Sequence, residues 1–229
     1  MSKSKDLVIK NRVFIGCPWK TMRQKYLGIV DKLEHKFPIH FILIGREQDQ
    51  RAEELLQLIK KNLLSSTIAI FDVTGGNPNV SLEYGIADAS EIDRVLYLNV
   101  HERNKSSSKD TAIIADLAGQ KRKQWKTEDG LNQLLTEFCK LHNFTKRFES
   151  IFKKVTGSLT RHRKKSFRTL AIKMVHFLDN KETVRRSDFI EHFRAEGYLE
   201  KDIEFLLGKF NEKKLLSVST GRYSDIIIS

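Results

Sequence analysis

Between residues 12 and 142, short apolar runs alternate with stretches of helical period, and this alternation narrows the possible folds more than any other feature of the chain. Val13-Phe14-Ile15, Ile39–Ile44, Thr67–Phe71 and Arg94–Val100 read as strands, with a further strand around Arg122–Trp125. Between them lie amphipathic stretches: Trp19–His35, Arg51–Leu64 with Leu55, Leu58 and Ile59 in helical register, Asn79–Ala89 and Glu128–Leu141. Strands that are apolar on both faces and separated by helices imply a parallel sheet covered on both sides. The expected fold is α/β, a doubly wound five-stranded sheet over residues 1–142. In such sheets ligands bind at the carboxyl ends of the strands.

The pattern changes after residue 142. Residues 143–165 show no strand and end in the basic run Arg161-His162-Arg163-Lys164-Lys165, which reads as a helical connector and linker. From 166 to 229 a first helix carries Leu170, Met174, Phe177 and Leu178. A second is expected from an N-cap at Ser187, with Phe189, Ile190 and Phe193 inside and Gly197 as its stop. The third holds Ile203, Leu206, Leu207 and Phe210 at i, i+3, i+4, i+7. Two strand-like runs follow, Leu215–Val218 and Asp225–Ile228, turning at Gly221. Three helices and a hairpin resemble a winged helix, so a small α+β domain is expected here.

Composition excludes several classes. With 40% hydrophobic and 31% charged residues, the chain has the material for a core and is unlike a disordered segment. No apolar run approaches the ~18 residues of a membrane span, and Met1–Lys10 lacks the apolar stretch of a leader. Two cysteines, Cys17 and Cys139, form no disulfide framework, which fits a reducing cytoplasm. The seven histidines show no metal-binding spacing, and no metal or other cofactor is expected. The net charge of +12 points to a phosphate-bearing small molecule or a polyanion as partner, and the lack of an apolar span to no membrane.

The segment from Phe71 to Ala87 carries the chemistry. Asp72 ends a buried strand, and Gly75-Gly76 allow a sharp turn. Asn77 suits a helix N-cap and Pro78 the first helical position. Asn79 and Glu83 then stand four apart on one helical face near the strand end, and the N–H groups of Asn79 and Val80 are expected to form a local anion site. A carboxylate pair at such a turn can serve glycosyl chemistry, one member as nucleophile or cation stabiliser and the other as acid. The same residues also admit a plain reading, with Asp72 capping the turn and Glu83 solvated or paired with Arg94. Arg46, after the second strand, is placed to meet a phosphate or to sit in solvent. Trp19 is placed to stack on a base or to pack its helix. Cys17 is a nucleophile only with a base beside it.

Gly16-Cys17-Pro18, the run Asp72-Val73-Thr74-Gly75 with Asn77-Pro78-Asn79-Val80, and Glu83-Tyr84-Gly85-Ile86-Ala87 together resemble the nucleoside 2-deoxyribosyltransferase-like superfamily, related in layout to bacterial TIR-type nucleotide hydrolases. The resemblance covers the first ~140 residues, and residues 112–125 are similar to a turn and edge strand in the same relatives. It implies a deoxyribosyltransferase-like sheet, with Glu83 as nucleophile on C1′ and Asp72 contacting the base or acting as acid. It also implies a pocket with Gly16, Cys17, Pro18, Trp19, Arg46, Gly75, Gly76, Asn77 and Asn79 around a nucleoside, nucleotide or NAD-like molecule. A homo-oligomer and a role in bacterial defence are further implications. The transferases' Asp-x-Gly-Thr element is replaced here by Asn77-Pro78-Asn79-Val80, which leaves hydrolysis, transfer and binding alone open.

From residue 141 onward 19 Lys and Arg stand against 11 acidic residues, so the C-terminal part holds +8 of the net charge. Lys164, Lys165, Arg168, Arg185, Arg186 and Arg222 are candidates for phosphate contacts with DNA. The third helix is rich in acids, Glu200, Asp202, Glu204 and Glu212, which counts against reading bases. Cleavage of an N-glycosidic bond is therefore the expected function, with a non-catalytic nucleotide sensor coupled to DNA, or a protein-docking scaffold, as alternatives.

Overall fold

The computed structural model describes residues 9–44, 52–103, 121–179, 184–218 and 225–228. Arg46 and Arg222 lie outside them, as does much of the segment 112–125. The chain forms two units, Met1–Lys32 with Phe41–Phe138 and Leu33–His40 with Cys139–Ser229.

The first unit is built on five strands: β1 (Ile9–Gly16), β2 (His40–Ile42), β3 (Ser66–Asp72), β4 (Asp93–Asn99) and β5 (Arg122–Trp125). They form one parallel sheet in the order β2-β1-β3-β4-β5, with Gly16 opposite Phe71, Asp72 opposite Tyr97 and Asn99 opposite Trp125. This is the doubly wound α/β class expected from the alternation. The strand order reverses between β1 and β3, and a ligand crevice in such a sheet opens at that reversal, beyond the carboxyl ends of the strands.

Helices α1 (Trp19–Glu34), α2 (Ala52–Leu64), α3 (Pro78–Ala89), α4 (Val100–Arg103) and α5 (Glu128–Leu141) connect and follow the strands. Strand period assigns their faces. Phe14, Ala69, Phe71 and Val73 pack with Leu63, and with Val80, Tyr84 and Ala87 of α3. The intervening positions face the other way, where Met22, Tyr26, Ile29 and Val30 bury the inner stripe of α1. Tyr97 points to that second face too, its hydroxyl 3.4 Å from the Leu134 carbonyl of α5.

The second unit contains α6 (Asn143–Val155), α7 (Arg161–Asp179), β6 (Val184–Arg185), α8 (Arg186–Ala195), α9 (Glu200–Glu212), β7 (Leu216–Val218) and β8 (Asp225–Ile228). Its three strands run antiparallel in the order β6-β8-β7. Of the expected core residues, Leu170, Met174, Leu178, Phe189, Phe193, Ile203, Leu206, Leu207 and Phe210 are buried, whereas Phe177 and Ile190 are half-buried.

Three features differ from the sequence reading. The supposed connector is part of the core, because α6 buries Phe144, Phe148 and Phe152, and Phe148 lies 6.1 Å from the Phe210 ring. The basic run 161–165 is the first turn of α7. The second helix begins at Arg186 with Arg185 in the capping position, so Ser187 lies inside it. Pairing of Val184 and Arg185 with β8 holds the backbone extended up to that point, a constraint no local signal carries.

Candidate functional site

The site stands where β1 and β3 end. At Gly16 a side chain is excluded by close approach: an added Cβ would lie 2.4 Å from Glu83 Oε2 and 2.7 Å from Phe71 Cδ1. This contact places the Glu83 carboxylate over the end of β1. The strand-to-helix link after β3 turns through Gly75 at φ 73° and Gly76 at φ 64°, both in the left-handed region that glycine tolerates. Asn77 then caps α3, its side-chain oxygen accepting from the Asn79 N–H at 3.0 Å and the Val80 N–H at 3.4 Å, with Pro78 at the first helical position.

The cap was expected, and it removes the anion site proposed for the same two amides. Both N–H groups are already engaged by Asn77. Asn79 itself is exposed.

Glu83 is half-buried, and desolvation pushes its pKa up to about 8. The pairing with Arg94 does not form. Arg94 instead pairs with Asp88 and lies 5.1 Å over the Tyr84 ring. Glu83 is thus a carboxyl group with a raised pKa at the carboxyl ends of β1 and β3, a property enriched at functional positions.

Asp72 has a different environment. It is fully enclosed, and four donors converge on it: the Tyr26 hydroxyl at 2.8 Å and the Trp125 indole N–H at 3.2 Å on Oδ2, the Thr74 N–H at 3.0 Å and the Thr74 hydroxyl on Oδ1. Burial raises its pKa while these donors pull it down. Thr74 Oγ1 in turn accepts from the Asn99 N–H at 2.8 Å, and Asn99 Oδ1 accepts from the His101 N–H at 2.9 Å. One carboxylate therefore ties the end of β3 to α1, β5 and the end of β4.

Asp72 and Glu83 reach the strand ends from opposite faces of the sheet. Phe71 packs toward α3, which carries Glu83, whereas Asp72 turns toward Tyr26 of α1. They are not a facing acid–nucleophile pair. Cys17 lies between their fields. Its pKa is raised by burial first and then by Asp72 and Glu83, so it is held as a neutral thiol and is poorly suited to nucleophilic attack. Pro18 is buried, and its carbonyl accepts the Met22 N–H that opens α1. Trp19 is 47% exposed, with the Arg23 guanidinium 4.1 Å from its ring centre.

Tyr26, Trp125, Thr74, Asn99 and Arg23 were not identified from the sequence. Tyr26 and Trp125 stand 46 and 53 residues from Asp72, and only the sheet brings them together. The helical spacing of Arg23 four residues after Trp19 was a usable local signal.

The candidate C-terminal cations differ in their surroundings. Arg168 forks onto Glu149 at 2.6 and 2.8 Å, and Arg186 pairs with Glu204 at 2.8 Å. Lys164 Nζ donates to the Gly157 carbonyl at 3.1 Å, while Lys165 and Arg185 are exposed. Among the described residues no helix is long and apolar enough to cross a membrane, and no group of three or more His, Cys, Asp or Glu is arranged to hold a metal ion.

The Gly16→Ala variant tests the close approach. Phe71 is fully buried and cannot move aside, so the variant is expected to lose about 1–3 kcal/mol of stability by overpacking. Urea unfolding measures this, and a midpoint equal to wild type would show that the contact is loose.

The sheet order and the Glu83 position define a doubly wound α/β protein with its candidate site at the topological switch point. No protein-family profile and no curated protein matches the chain. Among solved structures it is similar to the TIR domains in the structure of the activated Roq1 resistosome directly recognizing the pathogen effector XopQ. The identity is 15%, the match spans 82% of this chain and 99% of that one, and the TM-score is 0.33.

Proposed function

We propose that the first unit binds a nucleoside, nucleotide or NAD-like molecule in the crevice beyond β1 and β3 and cleaves its N-glycosidic bond. The observation that carries this reading is the Glu83 carboxyl over Gly16, with its pKa lifted to about 8. As the C1′–N bond breaks, its electron pair leaves on the base and positive charge grows at C1′. A carboxylate there stabilises that charge or adds to C1′. Water then supplies the hydroxyl to C1′; its proton ends on the base when a purine or pyrimidine leaves, and in solvent when a pyridinium leaves as the neutral ring.

Asp72 acts here as a positioning residue rather than an acid. Its four acceptor sites are filled and it has no access to a ligand, so its work is to hold the turn that carries Gly75, Gly76 and Asn77. The second unit, with its helix–strand–helix–helix–hairpin order, we read as a winged-helix arrangement. The ion pairs on Arg168 and Arg186 favour a protein-facing role for it over DNA binding.

The test is chromatographic detection of free base after incubating the purified chain with nucleosides, nucleoside monophosphates and NAD, alongside a Glu83→Gln variant. Release by the wild type and none by the variant is the expected result. Release by both, or by neither, would overturn the reading.

A further inference from the structure

We propose that Trp19 and Arg23 form a stacking shelf beside the crevice that selects a phosphorylated ligand with an uncharged heterocycle, an inference that rests on reading the crevice as a nucleotide site. Trp19 is the first residue of α1, three positions beyond Gly16, where Glu83 stands. Three residues of chain span no more than about 11 Å, so the indole is rooted within a nucleotide's length of that carboxylate.

The two tryptophans are used differently. Trp125 is 3% exposed and bound to Asp72, whereas Trp19 leaves 47% of its surface open although it is large and apolar. The guanidinium of Arg23, 4.1 Å from the ring centre, covers one face and fixes the ring's orientation. Arg23 also lowers the Cys17 pKa against the larger rise from burial, Asp72 and Glu83, so its charge is felt inside the site. The exposed part of the indole is the surface a planar ring would cover.

The stack has a charge preference. A cationic ring on the second face would sit about 8 Å from the guanidinium, where screening by physiological salt is still incomplete. A neutral purine, pyrimidine or dihydropyridine avoids that repulsion. A phosphate on the same ligand gains from the positive charge, which the carboxylates Asp72 and Glu83 do not offer. The shelf therefore distinguishes a nucleotide from a nucleoside and a neutral base from a pyridinium.

Calorimetric titration of the full chain with adenosine, AMP, oxidised nicotinamide mononucleotide and its reduced form separates these contributions. The last two differ in ring charge and share ring size. Tryptophan emission with AMP reports contact, since Trp19 is the exposed indole. AMP is expected to bind about 10-fold tighter than adenosine, and the reduced mononucleotide about 5-fold tighter than the oxidised one. Arg23→Gln should erase both ratios, Arg23→Lys should restore the phosphate preference, and Trp19→Ala should weaken every ligand about 10-fold. Unchanged ratios in Arg23→Gln, wild-type affinity in Trp19→Ala, or AMP binding without a change in emission would each overturn the shelf. Base release run in parallel separates the two readings. Glu83-dependent release with an inert Trp19 leaves the glycosidase reading standing and the shelf refuted, whereas neither binding nor release refutes both.

Discussion

Glu83→Gln abolishes base release and at the same time makes the folded chain more stable above neutral pH. The activity loss is expected to exceed about 10³-fold, because an amide can neither add to C1′ nor balance its charge. The stability gain follows from linkage. A carboxyl whose pKa is about 8 when folded holds a proton that the unfolded chain has already released. Between the ordinary carboxyl range and pH 8 the folded state thus binds more protons, and stability falls as pH rises through that window. The neutral amide does not titrate, so the variant keeps a flatter profile. The gain near pH 8 is about 1–3 kcal/mol after allowing for partial exposure.

The wild-type rate has its own signature. If the ionised form of Glu83 does the work, kcat/KM rises with pH and levels off above about 8. Thermal melts from pH 5 to 9 and the rate profile together check this. A variant less stable than wild type at pH 8, or a rate falling with pH across that window, would contradict the role given to Glu83.

Asp72→Asn is expected to cost about 2–4 kcal/mol of stability. The new amide group is a donor facing donors, so at least one of Tyr26, Trp125 and Thr74 loses its acceptor inside the protein. Urea unfolding measures the loss, and the emission of Trp125 should shift because its indole N–H bonds this carboxylate. Activity should fall with the turn's order while the rate–pH profile keeps its shape. A profile that loses a limb would instead make Asp72 the acid. Thr74→Val removes the hydroxyl that links Asp72 to the Asn99 amide and should reproduce part of the same loss.

Much of the first unit could be read from local pattern. Buried parallel strands are largely apolar and their helices amphipathic, so the run Thr67–Phe71 falls within β3 and Glu128–Leu141 on α5. The turn after β3 was equally legible, because Gly75, Gly76, Asn77 and Pro78 are each selected by backbone conformation within a few residues. Where capping was read correctly but its consequence was not, the reason is competition: Asn77 satisfies the amides that an anion would need. In the second unit β6 escaped notice, since two residues carry no period and its existence depends on β8, some 40 residues later.

Alone, the sequence determined the alternation of strands and helices, the glycine turn and the cap, because those depend on residue conformation and period over short range. Only the tertiary structure decided which carboxylate is enclosed by donors and which is not. Asp72 and Glu83 look equivalent along the chain, yet sheet pairing surrounds one with the donors of α1, β5 and its own turn. The other is drawn over Gly16 with little to solvate it. Desolvation and hydrogen bonding act through space, so the chemical difference between two identical functional groups exists only in the folded protein.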